Sequence, residues 1–402
     1  MKIIIIGAGA AGCFCAIETK RHHPGADVII LESGTKPLAK VAMTGGGRCN
    51  LTNSFLDVRS TKQVYPRGEK LMKRALKRFS HKDTMQWFEN EGVRLVTQED
   101  QCVFPKSQDA MEIVHTLTQL ADRLGIRIIT GQKVINIKTA KNNGFIVVTP
   151  TADYDATHVV VATGGSPKKA GIAFLDSLHL DIIEPVPSLF TFNIADDKLY
   201  ALMGTVVPMV SARIPGTKFM AEGPLLITHW GLSGPAILKL SSYAARHLSE
   251  QKYKAEVSVN WYHDINENDV LEMLTGMQRE NQQKQLSNQY PKQFNQRHWL
   301  YLTQKAGLSA QKRWQEVGPR QMLRLASMLT NDVYAITGKG KFKDEFVTCG
   351  GVALSNIDIN TLESKAHPGL FFAGEVLDVD AVTGGFNLQA AWSMGHIVAE
   401  SL

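Results

Sequence analysis

The sequence predicts an α/β fold: a parallel sheet of the Rossmann-like, dinucleotide-binding kind, interrupted by an inserted domain that is β-barrel-like and helical. Two glycine-rich signatures and one change of character along the chain carry that prediction. The first signature is GAGAAG, Gly7 to Gly12, and the second is FFAGEVLDVDAVTGGFNLQAAWSMG, Phe371 to Gly395. Between them, from about Ser188, the chain turns to short strand-like runs broken by Gly and Pro. With 402 residues it exceeds the ~250 to 300 residues that one hydrophobic core usually organises, so at least two domains are expected. The expected division is 1–187 with 346–402 for the sheet domain and 188–345 for the insertion, which contains a helical, basic subdomain at about 264–329.

The apolar run Ile3 to Ile6 predicts the first strand, and the small-residue stretch that follows, to Thr19, predicts a helix. Between them Gly7 makes the tight turn, Gly9 admits a pyrophosphate, and Gly12 lets helix and strand pack closely. Ala10 and Ala11 then open a helix whose N-terminal amides face the phosphates. Twenty residues after Gly12 the strand Asp27 to Leu31 ends in Glu32, followed by Ser33. A carboxylate there accepts hydrogen bonds from a ribose 2′-hydroxyl and favours adenosine without a 2′-phosphate. Further parallel strands are expected at Arg127 to Thr130 and His158 to Ala162. An antiparallel hairpin, Val134 to Lys138 with Phe145 to Thr149, is split by Asn142-Asn143-Gly144. Near the other end Gly369 to Ala373 reads as a buried strand, Gly374 as a turn, and Glu375 as a carboxylate at the strand's end. Gly384 and Gly385 precede helical apolar spacing from Phe386 to Val398, so amides at Gly385 and Phe386 would point at an anion.

In the insertion, strand-like runs are Leu189 to Ile194, Val206 to Ile214 and Ala255 to Trp261. Helical character runs from Asp264 to Leu329, and strands return at Val333 to Ile336 and Glu345 to Thr348. The apolar and charged fractions, 44% and 20%, are those of a soluble globular protein. No apolar run reaches the ~18 to 20 residues that span a bilayer, and the apolar start lacks a signal-peptide pattern. A cytoplasmic location without membrane attachment is expected. The five cysteines form no CxxC pair and no Cys/His spacing suited to zinc, so no metal site is expected. Cys13 and Cys15 lie on different faces of one helix, which argues against a dithiol.

Six segments together resemble a known group: GAGAAG, Lys40-Val-Ala-Met-Thr-Gly-Gly-Gly-Arg-Cys-Asn-Leu-Thr-Asn53, Val159-Val-Val-Ala-Thr-Gly-Gly165, Thr228-His-Trp-Gly-Leu-Ser-Gly-Pro235, Thr348-Cys-Gly-Gly-Val352 and the terminal signature. In this order they resemble the two-dinucleotide-binding-domain flavoproteins and, within them, the bacterial YhiN/BaiN-like family of NAD(P)/FAD-dependent oxidoreductases. The resemblance implies FAD as cofactor. It extends the cofactor-binding set of Gly7, Gly9, Ala10, Ala11, Gly12, Glu32 and Ser33 to Lys40 and the loop Gly45, Gly46, Gly47, Arg48, Cys49 and Asn50. It also adds Val134, the turn Ala162, Thr163 and Gly164, then Gly374 and Glu375, and the helix start Gly385, Phe386, Asn387 and Leu388. Arg48, His229 and Asn387 are the candidates for catalysis: a cation beside the flavin, a proton donor or acceptor, and part of an anion-stabilising group. Ser166 to Gly171 is shorter than the glycine-rich loop that family members carry there.

The chain resembles no nucleophile-elbow or metal enzyme, and no second dinucleotide turn matches the first. NADH or NADPH would therefore dock transiently as electron donor. The expected reaction is hydride transfer at flavin N5 to or from a conjugated carbon centre of a small molecule, as in bile-acid ene-reductases. An RNA-modifying flavoprotein reducing uracil C5=C6, and a non-catalytic redox-sensing flavin module, stand as alternatives, in a monomer or homodimer. Charge bears on the choice. Segment 67–82 holds seven Lys/Arg against Glu69, and segment 277–324 holds nine against Glu280 and Glu316. Leu71, Ala75 and Phe79 at i, i+4 and i+8 would turn the first set of cations to solvent. The cations are expected as solvated surfaces; the competing reading is structured RNA meeting both segments, with Trp299, Tyr301 and Trp314 as stacking groups.

Overall fold

Ile3, Ile4 and Ile5 have no solvent exposure, the burial of a strand covered on both faces, and a parallel sheet forms around them. Its strands run in the order Leu370–Phe372, His158–Val161, Lys2–Ile6, Asp27–Leu31, Arg127–Ile129, all parallel. The computed structural model describes residues 1–140, 144–340 and 347–402. They form two units, Met1–Ser188 with Phe342–Leu402, and Leu189–Lys341.

In the first unit the helices Ala10–His22 and Phe386–Ser401 pack on each other. Gly395 permits this: a Cβ there would lie 2.9 Å from the Ala11 carbonyl oxygen. Beside the crossing an aromatic cluster fills the core, with Phe14 5.5 Å from Trp392 and 4.7 Å from Trp87, and Phe88 5.4 Å from Trp392. The hairpin excursion is a three-stranded antiparallel sheet, Asn136–Thr139, Phe145–Val148 and Asp153–Ala156. Its third strand escaped the sequence reading because Asp153-Tyr-Asp-Ala156 has almost no apolar content, while Asn142 and Asn143 lie outside the described residues. Ile182–Ser188 pairs antiparallel with Val347–Val352. These strands flank the second unit in the chain; Glu345 and Phe346 of the expected strand lie outside the described residues. After the short loop that follows Gly165, Lys169–Leu178 forms a 3₁₀ helix.

The second unit is a closed six-stranded barrel, ordered Phe192–Ile194, Gly231–Ser233, Met220–Thr228, Val206–Arg213, Ala255–Asn260, Asp332–Lys339. Two of these strands have no counterpart in the sequence reading. Met220–Thr228 carries Gly223-Pro224 at its centre, a pair that reads as a turn. In the barrel it sits opposite a register shift between Val207 and Val210, which absorbs it as a bulge. Leu189 is left-handed (φ 53°), so the strand starts at Phe192 instead. The helices Glu267–Glu280, Gln296–Lys305 and Pro319–Thr330 complete the unit. Trp299, Tyr301 and Trp314 belong to its core, which removes them as stacking groups for a nucleic acid. Among the described residues no helix is long and apolar enough to cross a membrane.

One buried carboxyl ties the barrel to its helices. Asp332 accepts hydrogen bonds from Trp261 Nε1 at 3.0 Å and from Lys305 Nζ at 2.5 Å. Burial pushes its pKa up, and Lys305 opposes that rise. Removing the cation with Lys305→Met strands a buried charge, which costs about 3 kcal/mol or more. The loss should appear as a lower urea midpoint at pH 7. It should shrink as pH falls through the raised pKa, because a neutral carboxyl needs no counter-charge.

Candidate functional site

Three glycines in the first turn are required for different reasons. Gly7 adopts φ 106°, and a Cβ there would sit 2.5 Å from the Ala162 oxygen; at Gly12 it would sit 2.0 Å from the Gly7 oxygen. The protein itself forbids side chains at both. Gly9 has nothing within 4 Å of its added Cβ, so the protein places no demand there. It caps the first helix without a side-chain acceptor, and no acidic residue occupies the first turn. The amides of Ala10, Ala11 and Gly12 therefore have no partner from within the helix and carry its positive dipole end.

Glu32 stands beside this turn with its carboxylate fixed. Oε2 accepts from the Ala8 amide at 2.8 Å and Oε1 from the Gly34 amide at 2.7 Å. Together with Gly7, Ser33, Val134 and Thr163 it lines a cleft of about 230 Å³. Gly164 and the short loop after Gly165 form the other wall, through Ser166, Pro167, Gly171 and Ile172. That loop does line the cleft despite its brevity. Gly171 tucks under Ser166, whose Oγ donates to the Lys168 carbonyl at 2.7 Å.

The helix that begins at Phe386 offers a second set of free amides. Gly385 caps it at φ 89°, and a Cβ there would lie 2.3 Å from the Thr52 oxygen. With the Asn50 amide oriented so that both of its ends are satisfied, it accepts from the Gly385 amide at 3.1 Å and donates to the Thr52 carbonyl at 3.0 Å. Asn53 donates to the Gly384 carbonyl at 3.1 Å. The Asn387 side chain is committed to Ala381, accepting from its amide at 2.9 Å and donating to its carbonyl at 3.0 Å. It closes the preceding loop, and what it offers outward is its backbone amide, like those of Phe386 and Leu388.

The segment after Ala39 keeps helical geometry only until Thr44, then Gly45, Gly46 and Gly47 turn left-handed. Gly45 is crowded by the Asn50 amide at 2.8 Å, whereas Gly46 and Gly47 face open space. Arg48 is exposed and folds onto its own loop: Nε donates to the Gly45 carbonyl at 3.1 Å, and the guanidinium lies 4.4 Å from the Phe104 ring centroid. Glu375 joins three of the motifs. Its carboxyl accepts from the Thr348 amide at 2.5 Å. Burial raises its pKa against the opposing charge of Lys40 and the hydrogen bonds from the Thr348 and Gly165 amides. Gly374 lies against Ala11, 3.1 Å from its Cβ if given one of its own.

The cysteines are all free and buried. Burial pushes the Cys13, Cys15 and Cys49 thiols to about 12 and Cys102 to about 11, so none of these four offers a thiolate at neutral pH. Cys349 is an interior strand residue. In the barrel, His229 lies exposed in the turn between Met220–Thr228 and Gly231–Ser233, its ring centroid 4.0 Å from that of Trp230. His298, which the sequence reading passed over, is wholly buried with neither ring nitrogen partnered, and burial lowers its pKa to about 4.

Arg67 departs from the expected wet face of the basic helix Glu69–Arg78. It forms a paired contact with the buried carboxylate of Asp380, which also accepts from Ser188 Oγ at 3.0 Å. Tyr65, two residues earlier, donates to the Phe386 carbonyl at 2.9 Å, and the Val382 amide donates to the Val64 carbonyl at 2.9 Å. These braces were invisible in sequence because they join residues 192 to 321 positions apart. Lys70, Lys73, Arg74 and Lys77 do face solvent, along a groove of about 260 Å³ beside Ile359.

Comparison with known proteins gives this geometry its relatives. Residues 1–401 match the family described as HI0933-like protein Rossmann domain, and the chain belongs to that family. It is 27% identical to a 3-dehydro-bile acid Δ(4,6)-reductase of Clostridium scindens, over 100% of this chain and 98% of that protein. It is 29% identical to a ribosomal RNA dihydrouridine synthase of Escherichia coli, over 99% and 97%, and 28% identical to one of Haemophilus influenzae, over 99% and 98%. A solved 3-ketosteroid-Δ4-(5α)-dehydrogenase from Rhodococcus jostii, in complex with 4-androstene-3,17-dione, shares the fold. The TM-score is 0.50 at 14% identity, with 99% of this chain and 96% of that one covered.

The glycine contrast predicts separable effects on the cofactor-free protein. Gly12→Ala should cost about 3 kcal/mol, because a backbone oxygen cannot yield as a side chain would. Gly9→Val should cost no more than about 1 kcal/mol, the difference in capping preference. Urea unfolding of the two variants checks both.

Proposed function

We propose, from this chain's membership of the HI0933-like Rossmann-domain family, that it is an FAD-dependent oxidoreductase that reduces a carbon–carbon double bond conjugated with a carbonyl. One observation carries the cofactor half of the reading. Gly9 is a glycine that no protein atom requires, at a turn where uncapped amides need an anion, and a pyrophosphate supplies the missing reason. Glu32 and the cleft beside it suit the adenosine ribose. The residues present thus fit FAD.

FAD, when bound, supplies hydride chemistry at its flavin N5. The chain's own part is to hold, orient and stabilise. The amides of Ala10, Ala11 and Gly12 would take the pyrophosphate, and Glu32 with Ser33 the ribose. The amides of Phe386, Asn387 and Leu388 would favour negative charge on the ring edge near them, as preorganised dipoles that need no rearrangement. Gly46 and Gly47, open on one side, leave room for a flat ring against the backbone. Arg48, already stacked on Phe104, would add a positive field. His229, exposed, is the proposed proton donor.

The reaction half rests on two relatives whose names share one chemistry. A Δ(4,6)-reductase acting on a 3-dehydro-bile acid and a dihydrouridine synthase both saturate a C=C bond, and in uridine the C5=C6 bond is conjugated with the C4 carbonyl. NADH or NADPH is the proposed donor, docking transiently. An RNA substrate is the second reading. It is favoured by the helical subdomain, where Arg279, Lys284, Lys292, Arg297, Arg313, Arg320 and Arg324 are exposed. With Trp299, Tyr301 and Trp314 buried, contact would be mainly electrostatic and steeply salt-dependent.

Two measurements test the proposal. Gly9→Val should purify folded but without the flavin absorbance of the parent protein; full FAD content in that variant would refute the cofactor assignment. Anaerobic mixing with NADH or NADPH should bleach the parent's flavin, and the acceptor that restores its colour, a small enone or ribosomal RNA lacking dihydrouridine, identifies the substrate. If RNA is the acceptor, joint reversal of Lys312, Arg313, Arg320 and Arg324 should flatten the dependence of log affinity on log salt by about 3 units. An unchanged slope would remove the subdomain from the interface.

A further inference from the structure

We propose that Glu18, His22 and His396 form a site for a divalent transition-metal ion, suited to Zn²⁺, that joins the first and last helices of the sheet unit. One ligand atom from each of the three lies within 4.8 Å of the other two. Glu18 and His22 stand one turn apart on the helix Ala10–His22, and His396 and Glu400 one turn apart on Phe386–Ser401. Each helix therefore presents a carboxylate and an imidazole on one face.

The hydrogen bonds divide the donors into those already used and those left over. Glu18 Oε1 accepts from Trp87 Nε1 at 2.9 Å and from Arg21 at 3.2 Å. Oε2 faces His396 Nδ1 at 3.0 Å, and His396 Nε2 faces Glu400 Oε1 at 3.2 Å. A neutral imidazole has one N–H and one lone pair, so it cannot satisfy two carboxylates. In the neutral tautomer that donates Nε2–H to Glu400, Nδ1 turns its lone pair toward Glu18 Oε2, and a metal ion there would take the place of the proton that otherwise bridges the two atoms. A carboxylate that orients the far side of a ligating histidine is the usual outer shell of such sites. Stacking on Phe79, 4.5 Å between centroids and 27° between planes, holds the ring in this orientation.

Two nitrogens and one oxygen suit Zn²⁺ and its neighbours better than Ca²⁺ or Mg²⁺. With metal–nitrogen bonds of about 2.0–2.1 Å, tetrahedral ligand atoms lie about 3.3 Å apart. His22, exposed in the last turn of its helix, closes the gap by moving up to about 1.5 Å, and water would take the fourth position. The nearby guanidiniums do not oppose this, because Arg21 also pairs with Glu91 and Arg78 pairs with Glu400.

The test uses the full, tag-free, FAD-bound chain, stripped with EDTA, dialysed, and titrated with Zn²⁺ by calorimetry. The expected result is one equivalent bound, with a rise in the thermal unfolding midpoint. His22→Ala, an exposed position that leaves the fold alone, should weaken binding at least about tenfold, as should Glu400→Gln. His396→Gln should remove the site while FAD absorbance reports intact folding. Co²⁺ should give tetrahedral d–d bands in the parent protein and lose them in His22→Ala. No saturable binding below about 0.1 mM Zn²⁺, or one-equivalent binding indifferent to His22→Ala and His396→Gln, overturns the proposal.

Discussion

The close crossing of the first and last helices is the contact on which the sheet unit depends. Gly395 sits against the Ala11 oxygen and the Cys15 amide, where a Cβ would be 2.9 and 3.2 Å away. Gly374 brings the final strand's turn against Ala11. A side chain at Gly395 would lever the helices apart, and one at Gly374 would push the turn off the first helix. Because they pack along their length, their N-terminal ends both lie where sheet strands end. That is the edge at which open α/β sheets bind ligands. The two sets of unpartnered amides, at Ala10 to Gly12 and at Phe386 to Leu388, therefore belong to one edge of one unit. Close packing deeper in the unit sets the spacing between them, through Phe14, Phe88 and Trp392.

Preorganisation of the second set is expensive in polar atoms. The loop that feeds the last helix is held at Asp380 by Arg67 and Ser188, at Ala381 by Asn387, at Val382 by the Val64 carbonyl, at Gly384 by Asn53 and at Gly385 by Asn50. Asp380 is buried, which raises its pKa, and Arg67 counters the rise with two hydrogen bonds and its charge. A buried pair of this kind contributes little net stability compared with apolar packing, yet breaking it leaves an uncompensated charge. Its use here is to fix geometry. Amides that stabilise charge in a reaction act only if they need not move when the charge develops, and five separate braces over six residues achieve that.

The local features of this framework were legible in the sequence. The glycine turn, the strands around it and the helix after Gly385 each depend on residues within one short stretch, and they form where expected. The barrel was only half legible. Gly223-Pro224 resembles a turn until the bulge opposite it is seen; outside the barrel, Asp153–Ala156 pairs as a strand with almost no apolar content. The side-chain roles were less legible still. Asn387 and Arg67 look like free polar groups in sequence, but one closes a loop and the other neutralises a buried carboxylate. Glu18 and His396 meet across the packed helices, a proximity that no spacing rule contains.

The aromatic residues of the basic subdomain show why residue type alone misleads there. Trp299 and Trp314 stack 6.3 Å apart inside the core. Their indole N–H groups donate to the carbonyls of Leu286 and Gln289, at 2.8 and 3.1 Å. Gln278 donates to the carbonyls of Trp314 and Val317, both at 2.8 Å. The glutamine-rich, aromatic stretch is thus an internal scaffold for a coil with few helical bonds of its own. What remains outside are lysines and arginines among glutamines and asparagines. Such a surface would meet a polyanion mainly through its charge, with the guanidinium planes of its arginines in place of the buried indoles. If an RNA does bind this subdomain, the base that reacts is still selected by the shape and polarity of the place where it is held.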